Sequence, residues 1–140
     1  MTRTTNTQFL IDVAMSASRR STCPRLQVGA VIIDPEKRIL STGYNGAARG
    51  LPHCTDAGCL IEPETGRCKR TVHAEVNAIL NARQSLIGCS MICTHHPCPE
   101  CLPIIHNAGI MSVGFIYPYV LGQQCEIAEF MDIYQISTEG

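Results

Sequence analysis

His73-Ala74-Glu75-Val76-Asn77-Ala78-Ile79-Leu80, then Ser90-Met91-Ile92-Cys93-Thr94, then Pro97-Cys98-Pro99-Glu100-Cys101, is the stretch on which the fold turns. Val76, Ile79 and Leu80 recur at helical spacing. They predict a helix capped by Thr71 and running to about Arg83, with those three side chains facing inward and Gly88 marking the exit. Ser90 to Thr94 is a short apolar run and reads as a strand. Cys98 to Ala108 predicts the next helix, closed by Gly109 in a left-handed cap. Val113 to Tyr117 reads as another strand. Cys125 to about Tyr134 reads as a last helix, with Ile127, Phe130, Met131 and Tyr134 on one side, and the final residues as a short strand. Helices alternating with strands predict an α/β fold with a largely parallel sheet.

Upstream, Phe9, Leu10, Val13, Ala14 and Ala17 fall on one face of a helix from about Thr7 to Arg19. Cys23-Pro24 ends it, because the residue before proline is pushed out of the α region. Val28 to Ile33 is rich in β-branched residues and predicts a buried strand. Asp34 to Lys37 is a turn, with Pro35 suited to its second position. Arg38 to Gly43 is then the hairpin partner. Tyr44 to Arg70 has no period and is longer than ordinary loops, which marks it as functional or disordered. It carries His53, Cys54, Cys59 and Cys68. So many soft ligands favour a loop pinned by metal.

The 140 residues, 45% hydrophobic and 16% charged, fit one globular domain spanning 1–140 with a substantial core. The net charge is −1 and there is no long Lys/Arg run, which argues against a nucleic-acid footprint while leaving room for a small phosphate ligand. The N-terminus lacks the apolar core of a signal peptide, and no apolar run approaches the roughly 18 residues of a membrane span. The expectation is a cytoplasmic protein that engages neither membrane nor nucleic acid. In that setting nine cysteines point to metal or catalysis before disulfides, and an odd number excludes complete pairing within the chain.

The chemistry sits on the opening stretch. His73, Cys98 and Cys101 lie at the starts of two predicted helices, whose N-termini favour thiolate over thiol. Zinc accepts imidazole and thiolate, and a catalytic zinc keeps its fourth position for water, whose pKa falls to about 7. Glu75, in the same first turn as His73, is placed to move protons. A structural zinc knot or a redox Cys pair would also explain Cys98 and Cys101 alone. The His-x-Glu upstream is what favours catalysis.

His-x-Glu followed by Pro-Cys-x-x-Cys is the pattern of zinc nucleobase deaminases. Cys68, Arg70, Thr71, His73, Ala74, Glu75, Asn77, Ala78 and Ile79, with Gly43-Tyr44-Asn45-Gly46 and Pro97 to Cys101, resemble the deoxycytidylate (dCMP) deaminase family, a branch of the cytidine deaminase-like superfamily. The match runs from about Cys23 to Tyr117. It implies a three-layer α/β/α fold, with a mixed sheet of four to five strands and the N-terminal hairpin. It implies hydrolysis of dCMP to dUMP and ammonia by zinc-activated hydroxide, with Glu75 as proton shuttle, supplying dUMP for dTMP synthesis. Residue by residue it implies His73, Cys98 and Cys101 as ligands of the catalytic zinc. It implies Asn45 at the sugar hydroxyl, Arg25 at the phosphate, and Tyr117 and Ala74 against the nucleotide; Ala30 would line the base pocket. Each of these has a plain reading as well: turn residue, surface arginine, half-buried aromatic, small packing residue.

The resemblance further implies a structural zinc held among Cys23, Cys54, Cys59 and Cys68, with Cys23 and Cys54 the firmer pair and reduced thiols the alternative. It implies a homo-oligomer, commonly a hexamer, and dCTP and dTTP as effectors, with Mg2+ only alongside such a nucleotide. Ala48 stands where the family usually has proline, and the C-terminus is brief, so catalysis without that regulation is expected at least as readily. Cys89, Cys93 and Cys125 read as core residues, His95 and His96 as loop or pocket-rim residues with His96 the more favoured ligand contact, His106 as solvent-facing or interfacial, and Glu100 as solvent-facing. The alternatives are a related zinc deaminase of another cytosine or adenine nucleoside or base, and a non-enzymatic zinc-stabilised interaction module, which would have no use for Glu75.

Overall fold

The computed structural model describes residues 2–64, 68, 70–118 and 129–137. In chain order they form α1 (Asn6–Ser18), β1 (Gly29–Ile33), β2 (Ile39–Tyr44), β3 (Gly46–Ala47), α2 (Cys54–Ala57), β4 (Thr71–Val72), α3 (Ala74–Ala82), β5 (Ser90–His95), α4 (Cys101–Asn107), β6 (Ser112–Tyr117) and β7 (Asp132–Gln135). Five strands make one mixed sheet in the order β2-β1-β5-β6-β7, and β3 and β4 form a separate pair. The β1–β2 hairpin and the β1–β5 pair are antiparallel, while β5, β6 and β7 run parallel. No helix among the described residues is long and apolar enough to cross a membrane.

The two-residue alternation of a strand sorts side chains to the two faces. Ala30, Ile32, Met91, Cys93 and Val113 enter the core beneath α3 and α4. Val31, Ile33 and Ile92 enter a second core with Leu10 and Ala14 of α1. Helices therefore cover both faces, which is why β1 is buried at every position. α1 opens with Thr5, whose Oγ1 accepts the Gln8 N–H at 3.1 Å.

Two glycines set how closely those layers approach. A Cβ on Gly29 would meet the Ala14 carbonyl oxygen and lie 2.6 Å from Ser18 N, both in α1. A Cβ on Gly43 would meet the Ala74 carbonyl and the Ala78 N–H, and lie 2.9 Å from Ala78 Cα, in α3. Because backbone touches backbone, α3 buries small or polar residues: Ala74, Glu75, Ala78 and Ala82. Polar side chains stitch the contact. Ser41 Oγ donates to the Ala78 carbonyl at 2.7 Å, Asn77 Nδ2 to the Tyr44 carbonyl at 2.9 Å, and Asn81 Nδ2 to the Thr42 carbonyl at 3.0 Å. Gly43→Ala must push α3 off the sheet. We expect it to destabilise the fold by about 1–3 kcal/mol, the usual cost of overpacking, read as a lower urea midpoint.

Several expected boundaries move. Thr71 does not cap α3: Thr71-Val72 pairs with Gly46-Ala47 as β4, and His73 occupies the N-cap position. Leu80 faces solvent at 68% exposure, because the close approach at Gly43 reserves the inner face for alanine. α3 leaves through Arg83 in the left-handed region (φ 56°), and Gly88 (φ 81°) serves the later turn into β5. Phe9 is exposed, while Ile11 and Ser18 are buried in its place. α4 begins at Cys101, with Cys98 in the turn before it. Within the expected last helix, Asp132–Gln135 is instead strand β7, paired with β6. Residues 125–128 of that expectation, including Cys125, and the terminal 138–140 lie outside the described residues. Gly109 is left-handed (φ 93°), as expected.

Candidate active site

The C-terminal end of β5 and the N-termini of α3 and α4 meet at one point, and the chemistry-bearing residues lie there. His73, in extended backbone (φ −69°, ψ 150°), swings its ring across the start of α3. Pro97 and Pro99 bracket Cys98, whose carbonyl accepts the Cys101 N–H at 3.0 Å. That turn brings both sulfurs to the same side. His73 Nδ1 lies 3.3 Å from Cys98 Sγ and 3.2 Å from Cys101 Sγ, and the two sulfurs are 3.3 Å apart. The expected triad is therefore assembled, and its three donor atoms face one another.

One imidazole nitrogen and two sulfurs at this spacing fit zinc, which bonds sulfur at about 2.3 Å and nitrogen at about 2.0–2.1 Å. No fourth residue joins the group among the described residues, which matches a site keeping one position open. Charge is shared within the triad. The hydrogen bond from Cys101, followed by His73, holds the Cys98 thiol down at about 4 against the cost of burial. Cys101 is pushed up by the Cys98 sulfur beside it and by burial. The Cys98 hydrogen bond raises His73 despite its burial.

Glu75 is 3% exposed, a carboxyl group inside the core of a small protein. Burial raises its pKa, and the nearby His73 opposes the shift. Its carboxyl meets the Cys101 thiol, so it lies against the triad without belonging to it. Ala74, beside it, is 1% exposed, and Ala30 is fully buried against Cys93 in the neighbouring strand.

Asn45, just past β2, is buried, and its amide is engaged at both ends. Oδ1 accepts the Val28 N–H at 2.8 Å and Nδ2 donates to the Leu26 carbonyl at 2.7 Å. Asn45 thus holds the exposed segment carrying Arg25, leaving one amide hydrogen and one lone pair for another partner. Tyr117 ends β6, opposite His95 of β5, and is half exposed. Thr94 is a contributor to which the motifs assign no role, while Asn77, part of the matching motif, and His95, expected at the rim, both lie at this end of the fold. Asn77 lies four positions after His73, on the side of α3 that meets β2, where its amide holds the Tyr44 carbonyl.

The long loop forms a second cluster of sulfurs. Cys54, Cys59 and Cys68 offer donor atoms within 4.8 Å of one another. Cys23 is buried and close enough to help raise Cys59, yet it lies outside that trio. Burial, then Cys54, pushes Cys59 up to about 11. Against a burial penalty, hydrogen bonds from the Thr71 hydroxyl and the Leu60 N–H hold Cys68 down at about 6. His53 is not in the cluster; its Nδ1 lies 3.0 Å from Thr22 Oγ1. Cys89 and Cys93 are buried, and His106 and Glu100 are exposed, as expected.

Residues 4–117 match the cytidine and deoxycytidylate deaminase zinc-binding region. The chain belongs to this deaminase family. Its members include zinc-dependent hydrolases whose ligand pattern is the triad just described. The ComE operon protein 2 of Bacillus subtilis (strain 168) is 40% identical over 122 residues, covering 85% of this chain and 63% of that protein. The deoxycytidylate deaminase of Mycobacterium phage D29 is 35% identical over 122 residues, covering 79% of this chain and 92% of the phage protein. In fold, the dCMP deaminase of cyanophage S-TIM5, solved in complex with dCMP and dUMP, superposes with a TM-score of 0.80 at 24% identity. That comparison covers 97% of this chain and the whole of the other. The family's five-stranded mixed sheet is the one seen here.

Proposed function

We propose that this deaminase-family chain converts dCMP and water to dUMP and ammonia, with His73, Cys98 and Cys101 as the zinc ligands and Glu75 as the proton carrier. The observation that carries the reading is a buried carboxylate against an assembled His-Cys-Cys triad. Bound zinc supplies Lewis acidity that makes water nucleophilic at neutral pH. Glu75 does the proton work around it. Its carboxylate oxygen accepts one proton of the attacking water and passes it to ring N3; it then takes the second proton from the new C4 hydroxyl and delivers it to the amino group, so that the C4–N bond breaks as the C4–O double bond forms and ammonia leaves with both water protons accounted for. A buried carboxyl with raised proton affinity suits an acid and a base in one group. Asn45 orders the Leu26–Val28 backbone and offers its remaining amide hydrogen to the sugar hydroxyl, and Arg25 on the neighbouring exposed segment takes the phosphate. Deoxycytidine tests that placement: it should be turned over far less efficiently than dCMP, and equal kcat/KM for the two would remove the phosphate claim.

The sulfur trio supports a second, structural zinc that ties the long loop to β4, with Cys23 completing a four-sulfur set. Metal analysis of the purified chain should give two zinc per chain, falling to one in Cys54→Ser. A ratio near one in the unaltered protein would sink this site. Assembly as a homohexamer in the cytoplasm, supplying dUMP for dTMP synthesis, completes the proposal. Ala48, in place of the family's usual proline, supports hyperbolic dCMP saturation; strong sigmoidality relieved by dCTP with Mg2+ would contradict it.

A further inference from the structure

Thr94, His95 and Tyr117 form a connected unit beside the triad that the reaction scheme above leaves unused. Thr94 is 1% exposed, so its hydroxyl proton needs a protein acceptor. Its Oγ1 already accepts the Gly29 N–H at 3.1 Å, and His95 Nδ1 lies 2.8 Å away. Among the described residues no other acceptor is in reach, so Thr94 donates to Nδ1. The tautomer of His95 is thereby fixed, with its proton on Nε2. The ring rests on Tyr117, at 5.1 Å between centroids and 43° between planes. Pairing of His95 with Tyr117 across parallel β5 and β6, and the His96 N–H bond to the Tyr117 carbonyl at 2.9 Å, hold that seat.

The position is equally specific. His95 closes β5 three residues before Cys98, at the carboxyl ends of the parallel strands, where open α/β sheets bind ligands. It follows Met91 and Cys93 at two-residue spacing, the side chains of β5 that face α3 and Glu75. The imidazole is only half buried, and its Nε2–H has no partner among the described residues. Burial lowers its pKa and so favours the neutral ring.

We propose that His95 is a substrate-binding residue whose Nε2–H, aimed by the Gly29–Thr94 hydrogen bonds and the Tyr117 ring, donates to an oxygen of the pyrimidine nucleotide. This rests on the dCMP reading. A neutral donor of fixed tautomer recognises an acceptor oxygen without adding charge beside the triad, and the ring beneath it restricts where that oxygen sits.

His95→Phe keeps an aromatic ring on Tyr117 and removes the donor. With dCMP it should raise KM roughly 3- to 30-fold, the worth of one hydrogen bond, while kcat changes by less than about two-fold. His95→Gln, which restores an N–H at similar reach, should recover much of the loss. Imidazole 15N shifts of the unaltered protein should show the Nε2–H tautomer, converting to a mixture in Thr94→Val. Unchanged KM in His95→Phe, or an Nδ1–H tautomer in the unaltered protein, would overturn the proposal. Absence of dCMP turnover in the unaltered protein would instead overturn the substrate reading on which it rests, so the two failures are separable.

Discussion

Glu75→Gln keeps its zinc and loses turnover of dCMP by roughly 10²–10⁴-fold, the contribution of a positioned acid–base group. The amide has the shape of the carboxyl, and Glu75 is not one of the three donors, so metal content is unaffected. It cannot carry the proton from water to N3 or to the leaving amine. Stability should hold or rise, because burial in the core already disfavours the charged carboxylate. The check is kcat alongside zinc stoichiometry and a urea midpoint. Near-normal kcat at full zinc loading would remove Glu75 from the mechanism.

Cys98→Ala removes the sulfur that meets both other donors, Cys101 at 3.3 Å and His73 at 3.3 Å. Two donors cannot hold the ion in a three-ligand site. The expected result is loss of the catalytic zinc and of measurable dCMP turnover, with far-UV circular dichroism unchanged. Cys98 packs in the core at 7% exposure, so some stability is lost with it. Cys98→Ser fills most of that volume with a poor zinc ligand and separates the two effects: it should restore the urea midpoint without restoring zinc. A Cys98→Ser protein that binds zinc and turns over dCMP at the normal rate would contradict the assigned ligand set.

The grouping of His73, Cys98 and Cys101 could be read in the sequence because their constraint is local. His-x-Glu and Cys-x-x-Cys each span one turn, and a turn's geometry is set by its own residues. Where the reading failed, distant backbone had intervened. Thr71 has the chemistry of a helix cap, but pairing of Thr71-Val72 with Gly46-Ala47 claims its backbone, a contact 24 positions away in register. Leu80 fits the apolar stripe of α3, yet Gly43 lets the helix backbone sit on β2 and only alanine fits between them. Phe130, Met131 and Tyr134 fit helical spacing, yet Asp132–Gln135 pairs along the edge of β6 as a strand. Short segments carry both periods, and the available partner chooses. The rim position of His95 is legible in the sequence but its tautomer is not, because that depends on the Gly29 N–H, delivered through Thr94 from the start of another strand.

The cysteines divide along the same line. Cys98 and Cys101 are held by one turn, whereas Cys54, Cys59 and Cys68 come together only through the fold of the long loop, leaving Cys23 at its edge. The family resemblance ranks Cys23 and Cys54 above the other two. The structure groups Cys54 with Cys59 and Cys68.

The most direct test is the reaction itself: zinc-loaded protein incubated with dCMP, with ammonia release and dUMP formation followed together. We predict one ammonia and one dUMP for each dCMP consumed, with adenosine-containing RNA and free cytosine left intact under the same conditions. Ammonia from the RNA or the free base but none from dCMP, or no ammonia from any of them, would contradict the account.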